Sequence, residues 1–280
     1  MTGADGFIGS HLTQALEQDG CIVIPLSGSD GDIAHVTLDY SGINHVFHLA
    51  ARTSVPESWR APRNFYETNV LGTANVLEFC RSAGASLTHL SSYIYGPPLR
   101  LPIDEEHPVR AFNPYSSSKI LAEEVARFYA SSFSVPVTII RPFNIYGPGQ
   151  TNAFLIPMII QQALSCETRS IEVADDRPKR DQLFVSDLIE LLMRTMDGGG
   201  LRIYNAGSGH SVSIAEITGL VTGLLNISKP LVSRSEQRPS DVMDVKADIS
   251  RAKASLGWQP RVPLSEGLRL TILGMMKQPL

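Results

Sequence analysis

Apolar positions fall into two alternating periods through the first half of the chain. Ile8, Leu12, Ala15 and Leu16 recur at helical spacing. A short apolar strand, 20–27, follows them. Residues 44–51 (Asn-His-Val-Phe-His-Leu-Ala-Ala) read as a buried strand running into a small-residue turn, and 52–63 as a polar loop. Val70, Ala74, Leu77 and Cys80 repeat along one face of a long helix over 65–83. A strand over 85–90, a polar loop, a helix from Tyr115 and a strand over 135–140 complete this half. Strands alternating with helices to about residue 147 predict an α/β protein with a doubly wound parallel sheet.

Beyond that point the texture changes. Helices are predicted over 154–164, up to residue 196 and over 214–225, with a strand over 201–206. Gly198, Gly199 and Gly200 form a turn, Arg177 to Arg180 a basic knot, and a last short helix follows Pro260. The expected division is a dinucleotide-binding domain over 1–147, to which 184–206 returns. A smaller C-terminal α/β substrate domain takes 148–183 and 207–280.

Gly3, Gly6 and Gly9 lead directly into the first helix. Glycines there let the backbone turn tightly and approach a pyrophosphate held at a helix N-terminus. Such a turn should follow a buried strand, yet the chain begins at the turn. The expectation is that the first, central strand is missing from this sequence and that the natural protein starts several residues upstream. An acidic residue normally ends the second strand and accepts the adenosine ribose hydroxyls of NAD. This chain has Ser27 there, with no basic residue nearby to clamp a 2′-phosphate, so NAD and NADP both stay open. Asp32 and Ile33 are candidates to flank the adenine.

Composition narrows the picture. The 280 residues are 43% hydrophobic, enough for a real core. The formal charge of -4 gives no global attraction for nucleic acid or anionic membrane, so an anionic ligand would need local arginines. Cys21, Cys80 and Cys166 are odd in number and widely spaced, which suits a reducing compartment, and no Cys/His spacing reads as a metal site. His48 reads as a packed strand residue. With no apolar run of membrane-spanning length and no signal-peptide pattern, the expectation is a cytoplasmic protein.

The chemistry centres on Tyr115 and Lys119. They lie one helical turn apart, with Pro114 in the first turn and strong helix formers after them. A free phenol has a pKa of about 10, and lowering it by roughly three units takes about 4 kcal/mol of preference for the phenolate. An ammonium one turn away is expected to supply part of that, and a cationic nicotinamide ring more.

Several motifs then share one order and spacing. They are Thr2-Gly-Ala-Asp-Gly-Phe-Ile-Gly9, His48-Leu-Ala-Ala51, Asn69-Val-Leu-Gly-Thr-Ala-Asn75 and Ser91-Ser-Tyr-Ile-Tyr-Gly96. Tyr115-x-x-x-Lys119, Arg141-Pro-Phe-Asn-Ile-Tyr-Gly-Pro148 and Arg180-Asp-Gln-Leu-Phe-Val complete the set. Together they resemble the extended short-chain dehydrogenase/reductases, in the nucleotide-sugar epimerase/dehydratase branch. The resemblance covers nearly the whole chain and implies a Rossmann-like cofactor domain.

Residue by residue, it implies Tyr115 as acid/base on a sugar hydroxyl and Lys119 on the nicotinamide ribose. Ser91 would bond the reacting oxygen. It implies Gly3, Gly6, Phe7, Ile8, Gly9, Ser27, Asp32, Ile33, Leu49, Ala50, Ala51 and Pro142 as cofactor-binding, together with Tyr115 and Lys119. Ser92, Asn144, Arg180 and Arg238 would meet a nucleotide-diphosphate sugar. A homodimer through helices 65–83 and 115–131 is also implied, with no metal.

Family 4,6-dehydratases carry an Asp-Glu pair where this chain has Ser92 and Tyr93, which argues against water elimination. Chain length and the missing carboxylate at Ser27 lean toward a 4-keto-sugar reductase. The commonest activity of the family leans toward an epimerase acting at C4, and that is the reading adopted. A non-catalytic dinucleotide-binding regulator is the alternative of another class; an intact Ser/Tyr/Lys set argues against it.

Overall fold

The computed structural model describes residues 1–236 and 242–277. Its elements are α1 (Phe7–Gln18), β1 (His45–His48), α2 (Val55–Arg60), α3 (Pro62–Tyr66), α4 (Gly72–Ala83), β2 (Ser86–Leu90), α5 (Pro114–Phe133), β3 (Val137–Pro142), β4 (Asn144–Tyr146), α6 (Leu155–Leu164), β5 (Ile171–Val173), β6 (Lys179–Phe184), α7 (Val185–Met193), β7 (Leu201–Ala206), β8 (Ser211–Ser213), α8 (Ile214–Leu225), β9 (Leu231–Ser233), α9 (Ser250–Leu256) and α10 (Leu264–Lys277).

The main sheet runs β1-β2-β3-β7, every pair parallel. All six residues of β3 are buried, as a central parallel strand covered on both faces requires. Neighbouring residues of one strand serve opposite faces. Phe47 and Ile140 pack with Leu12 and Leu16 of α1 and Leu188 and Leu192 of α7. Val46 and Ile139 pack with Val76 and Leu77 of α4 and Ala126 of α5. The result is a doubly wound, Rossmann-like α/β sheet with helices on both sides.

Beyond β1, Thr2 forms single parallel bridges to His48 on one side and Leu26 on the other. The apolar run 20–27, predicted as a strand, lies beside residues 1–4 over its 24–26 end: Met1 N donates to the Ile24 carbonyl, Leu26 N to the Met1 carbonyl and Ala4 N to the Leu26 carbonyl. The pairing is short because the neighbour begins at Met1, and Ile22, ahead of it, is 98% exposed.

Two further elements differ from the sequence expectation. Residues 52–63 contain α2, whose N-cap Ser54 accepts from the Glu57 amide, and the start of α3. The helix over 65–83 is interrupted by a π-helical turn, Glu67–Leu71, between α3 and α4.

The C-terminal half builds two small sheets, β4-β6-β8 and β5-β9. Only Phe143 separates β3 of the main sheet from β4 of the second. The fully buried Asp181 carboxylate on β6 accepts from Ser208 N, Ser208 Oγ, Gly209 N and Ala247 N, binding the turn between β7 and β8 to the 247 segment. Trp258, also fully buried, donates its indole N–H to the Asp187 carbonyl, and the Asp187 carboxylate accepts from Arg261 N and Val262 N.

Candidate active site

A cleft of about 860 Å³ opens at the carboxyl ends of the main-sheet strands, where parallel α/β sheets bind ligands. Gly3, Gly6, Phe7, Ile8 and Gly9 line one end, Ser27, Asp32 and Ile33 a second part, and Leu49, Ala50 and Ala51 the floor. Ser91, Ser92, Tyr115, Lys119 and Pro142 line the rest. Every residue expected at the cofactor thus faces one space.

The glycine turn fits a dinucleotide. Gly3 adopts φ +69°, and a Cβ there would lie 2.7 Å from the Ala50 nitrogen. A Cβ on Gly9 would run into the Gly3 carbonyl oxygen. Gly6 caps α1 with no side-chain hydrogen bond, so the amides of its first turn remain available for an anion.

Tyr115 and Lys119 sit at the start of α5, whose position is fixed by its cap. Asn113 accepts from the Ser116 amide at 2.7 Å, the Ser116 hydroxyl accepts from Asn113 N at 3.1 Å, and Pro114 opens the helix. Burial pushes the Tyr115 phenol above its ordinary value, and the Ser92 hydroxyl beside it works against that shift. The expected help from Lys119 is not what holds the phenol in the protein alone. The Lys119 ammonium donates to the Leu90 carbonyl at 2.6 Å, and burial lowers its own pKa to about 8, against the pull of Glu123.

Ser91 is buried and donates to Glu123 Oε1 at 2.6 Å rather than turning toward Tyr115. Glu123 in turn is held by Arg141, through Nη2 at 2.6 Å and Nε at 3.0 Å, with both side chains only 2% exposed. Arg141 Nη1 donates to the Tyr95 hydroxyl and the Glu105 carbonyl, and Tyr95 donates to Asn205 Oδ1 at 2.6 Å. Sequence reasoning missed this network. Its signal was available: Glu123 lies one turn beyond Lys119 on the face that already carries Tyr115.

A second missed group is Asp30. Its carboxylate accepts from Ser27 N at 2.7 Å and Ser27 Oγ at 3.0 Å, and lines the cleft. A carboxylate therefore stands beside Ser27 after all, supplied three residues later. These hydrogen bonds hold Asp30 below the usual carboxylate range. Asp32 accepts from Thr68 Oγ1 at 2.6 Å and from the Ala34 amide.

A further cavity of about 770 Å³ joins the first along Phe143, Ile145, Gln150 and Phe154. Asn144 and Arg180 line it, with Arg234 and Glu172 as an ion pair that the sequence did not suggest. The Asn144 amide donates to the Asp181 carbonyl at 3.1 Å, and Arg180 donates to the Val242 and Lys179 carbonyls. Arg238 lies outside the described residues.

A family model described as GDP-mannose 4,6 dehydratase matches residues 29–271. The chain belongs to the nucleotide-sugar epimerase/dehydratase family of extended short-chain dehydrogenase/reductases. It is an enzyme of the oxidoreductase/epimerase class that this family comprises. It is 31% identical to a UDP-glucose 4-epimerase of Mycolicibacterium smegmatis, over 97% of this chain and 96% of that one. It is 30% identical to a GDP-6-deoxy-D-mannose reductase of Pseudomonas aeruginosa, over 96% and 94%. Among solved structures, MoeE5 in complex with UDP-glucuronic acid and NAD superposes with a TM-score of 0.89 at 29% identity, covering 99% of this chain and 98% of that one. One family, then, spans several reactions on one architecture.

Proposed function

We propose that this chain is an NAD-dependent epimerase of a nucleotide-diphosphate sugar, inverting a hydroxyl-bearing carbon, C4, through a keto intermediate. The observation that carries this reading is the position of Tyr115, Lys119 and Ser92 on one wall of a continuous cleft. The glycine turn lies at one end and the Asn144/Arg180 cavity at the other. The M. smegmatis epimerase at 31% identity supports it further.

The residues divide the work. Amides of the α1 first turn take the dinucleotide pyrophosphate, and Lys119 takes the nicotinamide ribose. When bound, the nicotinamide supplies the acceptor and donor of hydride and a positive charge near the phenol. Tyr115 removes the proton of the sugar hydroxyl as the carbon gives up its hydride, and returns that proton to the same oxygen once the keto sugar has turned and the carbon takes hydride on its opposite face. Arg180, with fork geometry suited to phosphate, anchors the diphosphate so that only the sugar rotates. Ser92 and Tyr93 supply no carboxylate for elimination, which supports epimerisation over dehydration.

A reductase of a nucleotide 4-keto-sugar is the second reading, favoured by the 30% identical GDP-6-deoxy-D-mannose reductase. Purified protein decides between them. The epimerase interconverts UDP-glucose and UDP-galactose, or another epimeric pair, with no net change in NAD. The reductase oxidises added NADH or NADPH stoichiometrically with a keto-sugar nucleotide. Tyr115→Phe is expected to abolish either turnover while sparing NADH binding; unchanged turnover would reject the tyrosine mechanism. Outward-facing Leu121 and Phe128 on α5, 45% and 56% exposed, support a homodimer through α4 and α5. Light scattering on the purified chain tests that.

A further inference from the structure

We infer that Glu123 is a positioning residue for the cofactor: its buried carboxylate, held by Arg141, is the countercharge that keeps Lys119 an ammonium and so keeps it able to hold the nicotinamide ribose. This rests on the proposed cofactor role of Lys119. Glu123 itself touches neither substrate nor cofactor; it acts through the lysine.

A lysine buried as deeply as Lys119, 2% exposed, either finds a countercharge or sheds its proton. Its hydrogen-bond partner, the Leu90 carbonyl at 2.6 Å, is a dipole with no net charge. Among the described residues, the ionisable groups packed around it come from four elements. His48 on β1 and His89 on β2 are imidazoles that burial holds uncharged, His48 down to about 3 and His89 well below its ordinary value. Tyr115, one turn back on α5, is a phenol that burial keeps protonated. Arg141 on β3, bound to Glu123, is a like charge. The cleft carboxylates Asp30 and Asp32 are bound instead to Ser27 and Thr68. Glu123 is the carboxylate whose pull opposes the loss of the lysine proton.

The helix sets the placement. Lys119 and Glu123 are one turn apart and end on consecutive residues, Lys119 Nζ on the Leu90 carbonyl and Glu123 Oε1 on the Ser91 hydroxyl at 2.6 Å. Arg141 binds the same carboxylate through Nε and Nη2, and Arg127 Nη2 lies 3.7 Å from Oε2. Arg141 is also occupied by the Tyr95 hydroxyl, the Glu105 carbonyl and the Tyr95 ring. One buried anion therefore serves two buried cations, in surroundings where charges act strongly on one another. A guanidinium does not give up its proton, so any imbalance falls on the lysine. Removing the anion makes Lys119 easier to deprotonate. Removing Arg141 leaves Glu123 to Lys119 and Arg127 alone, and makes the lysine harder to deprotonate.

The test is NADH affinity by fluorescence titration across neutral and alkaline pH, in a Tyr115→Phe background so that the phenol does not titrate. In that parent, affinity is expected to fall as pH rises through about 8, where the ammonium is lost. Adding Glu123→Gln is expected to move the midpoint of the fall lower by roughly one pH unit or more. Glu123→Asp, which keeps the charge, is expected to return most of the way. Arg141→Gln is expected to move the midpoint higher. Because Glu123→Gln leaves Arg141 buried without its counterion, a double variant, Glu123→Gln with Arg141→Met, removes both charges together. Its midpoint is expected between those of Glu123→Gln and the parent, since the anion acts on the lysine more strongly than the cation behind it.

A residue that only braced α5 would, on removal, weaken NADH equally at every pH and leave the midpoint in place. That uniform loss in Glu123→Gln would overturn the inference, as would an Arg141→Gln midpoint at or below the parent's. If Glu123→Gln does not fold, the double variant decides, and a midpoint at or above the parent's overturns it. Lys119→Met separates the two readings. If it keeps the parent's fall in affinity, or if the parent's affinity is flat, the proposed role of Lys119 fails and this inference with it. If Lys119→Met is weak and flat while Glu123→Gln leaves the midpoint unmoved, only the present inference fails.

Discussion

Lys119 Nζ donates to the Leu90 carbonyl oxygen at 2.6 Å, so the ammonium of α5 is pinned to the end of the strand that delivers Ser91. Burial lowers the lysine to about 8. The sign follows directly: the ammonium is present below that value and is lost as pH rises through it. If the charged form holds the nicotinamide ribose, NADH affinity of the wild-type protein is expected to fall as pH rises through about 8. Lys119→Met is expected to bind more weakly at neutral pH and to show no such fall. Fluorescence titration of NADH across this range is the check, and a wild-type affinity that stays flat would reject the role.

Asp30 provides a test of cofactor choice. Its carboxylate is fixed by both the amide and the hydroxyl of Ser27. A 2′-phosphate brought to that end of the cleft would meet a like charge, whereas ribose hydroxyls would find an acceptor. NADH is expected to bind several-fold more tightly than NADPH, and Asp30→Ala to narrow the gap mainly by improving NADPH. Isothermal calorimetry with the two nucleotides measures it. Salt should weaken the preference, because the carboxylate is exposed.

The glycine turn predicts an order of sensitivity. A Cβ on Gly9 would collide with the Gly3 carbonyl and lie 2.9 Å from Ala4 Cα, both backbone atoms that cannot step aside. A Cβ on Gly6 would meet Gly3 O at 3.3 Å, which a small shift relieves. Gly9→Ala is therefore expected to lower NADH affinity at least tenfold and to destabilise by about 1–3 kcal/mol. Gly6→Ala should do markedly less of both. Thermal melts with and without NADH separate the two effects.

Asp181 carries the most concentrated polar contact of the C-terminal half, with four donors on one fully buried carboxylate. Truncation to alanine leaves three backbone N–H groups and a hydroxyl without their acceptor. Asp181→Ala is expected to lose about 3 kcal/mol or more in urea unfolding. Asp181→Asn should recover little, since its NH₂ would face donors.

How much of this was legible in the sequence depends on the range of the signal. Helix α8 was legible to its ends, 214–225, although Gly219 and Gly223 lie within it: Ser213 and Glu216 form a capping box at its start, its apolar residues keep helical spacing, and Pro230 lies beyond its end. The glycine turn and the Tyr115/Lys119 pair were legible because spacing along one element sets which side chains share a face. The run 20–27 looked like a strand from its apolar residues, but a strand is a relation to a neighbour, and residues 1–4 reach its 24–26 end. Helix α2 was overlooked although Ser54 and Glu57 carry its start signal; the polar surroundings outweighed it. The direction of the Ser91 hydroxyl could not be read at all, since it depends on Arg141, distant in sequence and adjacent only in the fold.

One residue, Phe143, stands between the last position of β3 and the first of β4. Pro142 before it lines the cleft of the glycine turn, Asn144 after it lines the cavity of Arg180, and Phe143 itself borders both. Three consecutive residues of one extended stretch of backbone therefore border both cavities, and the spacing between the two is set there by covalent bonds rather than by side-chain packing.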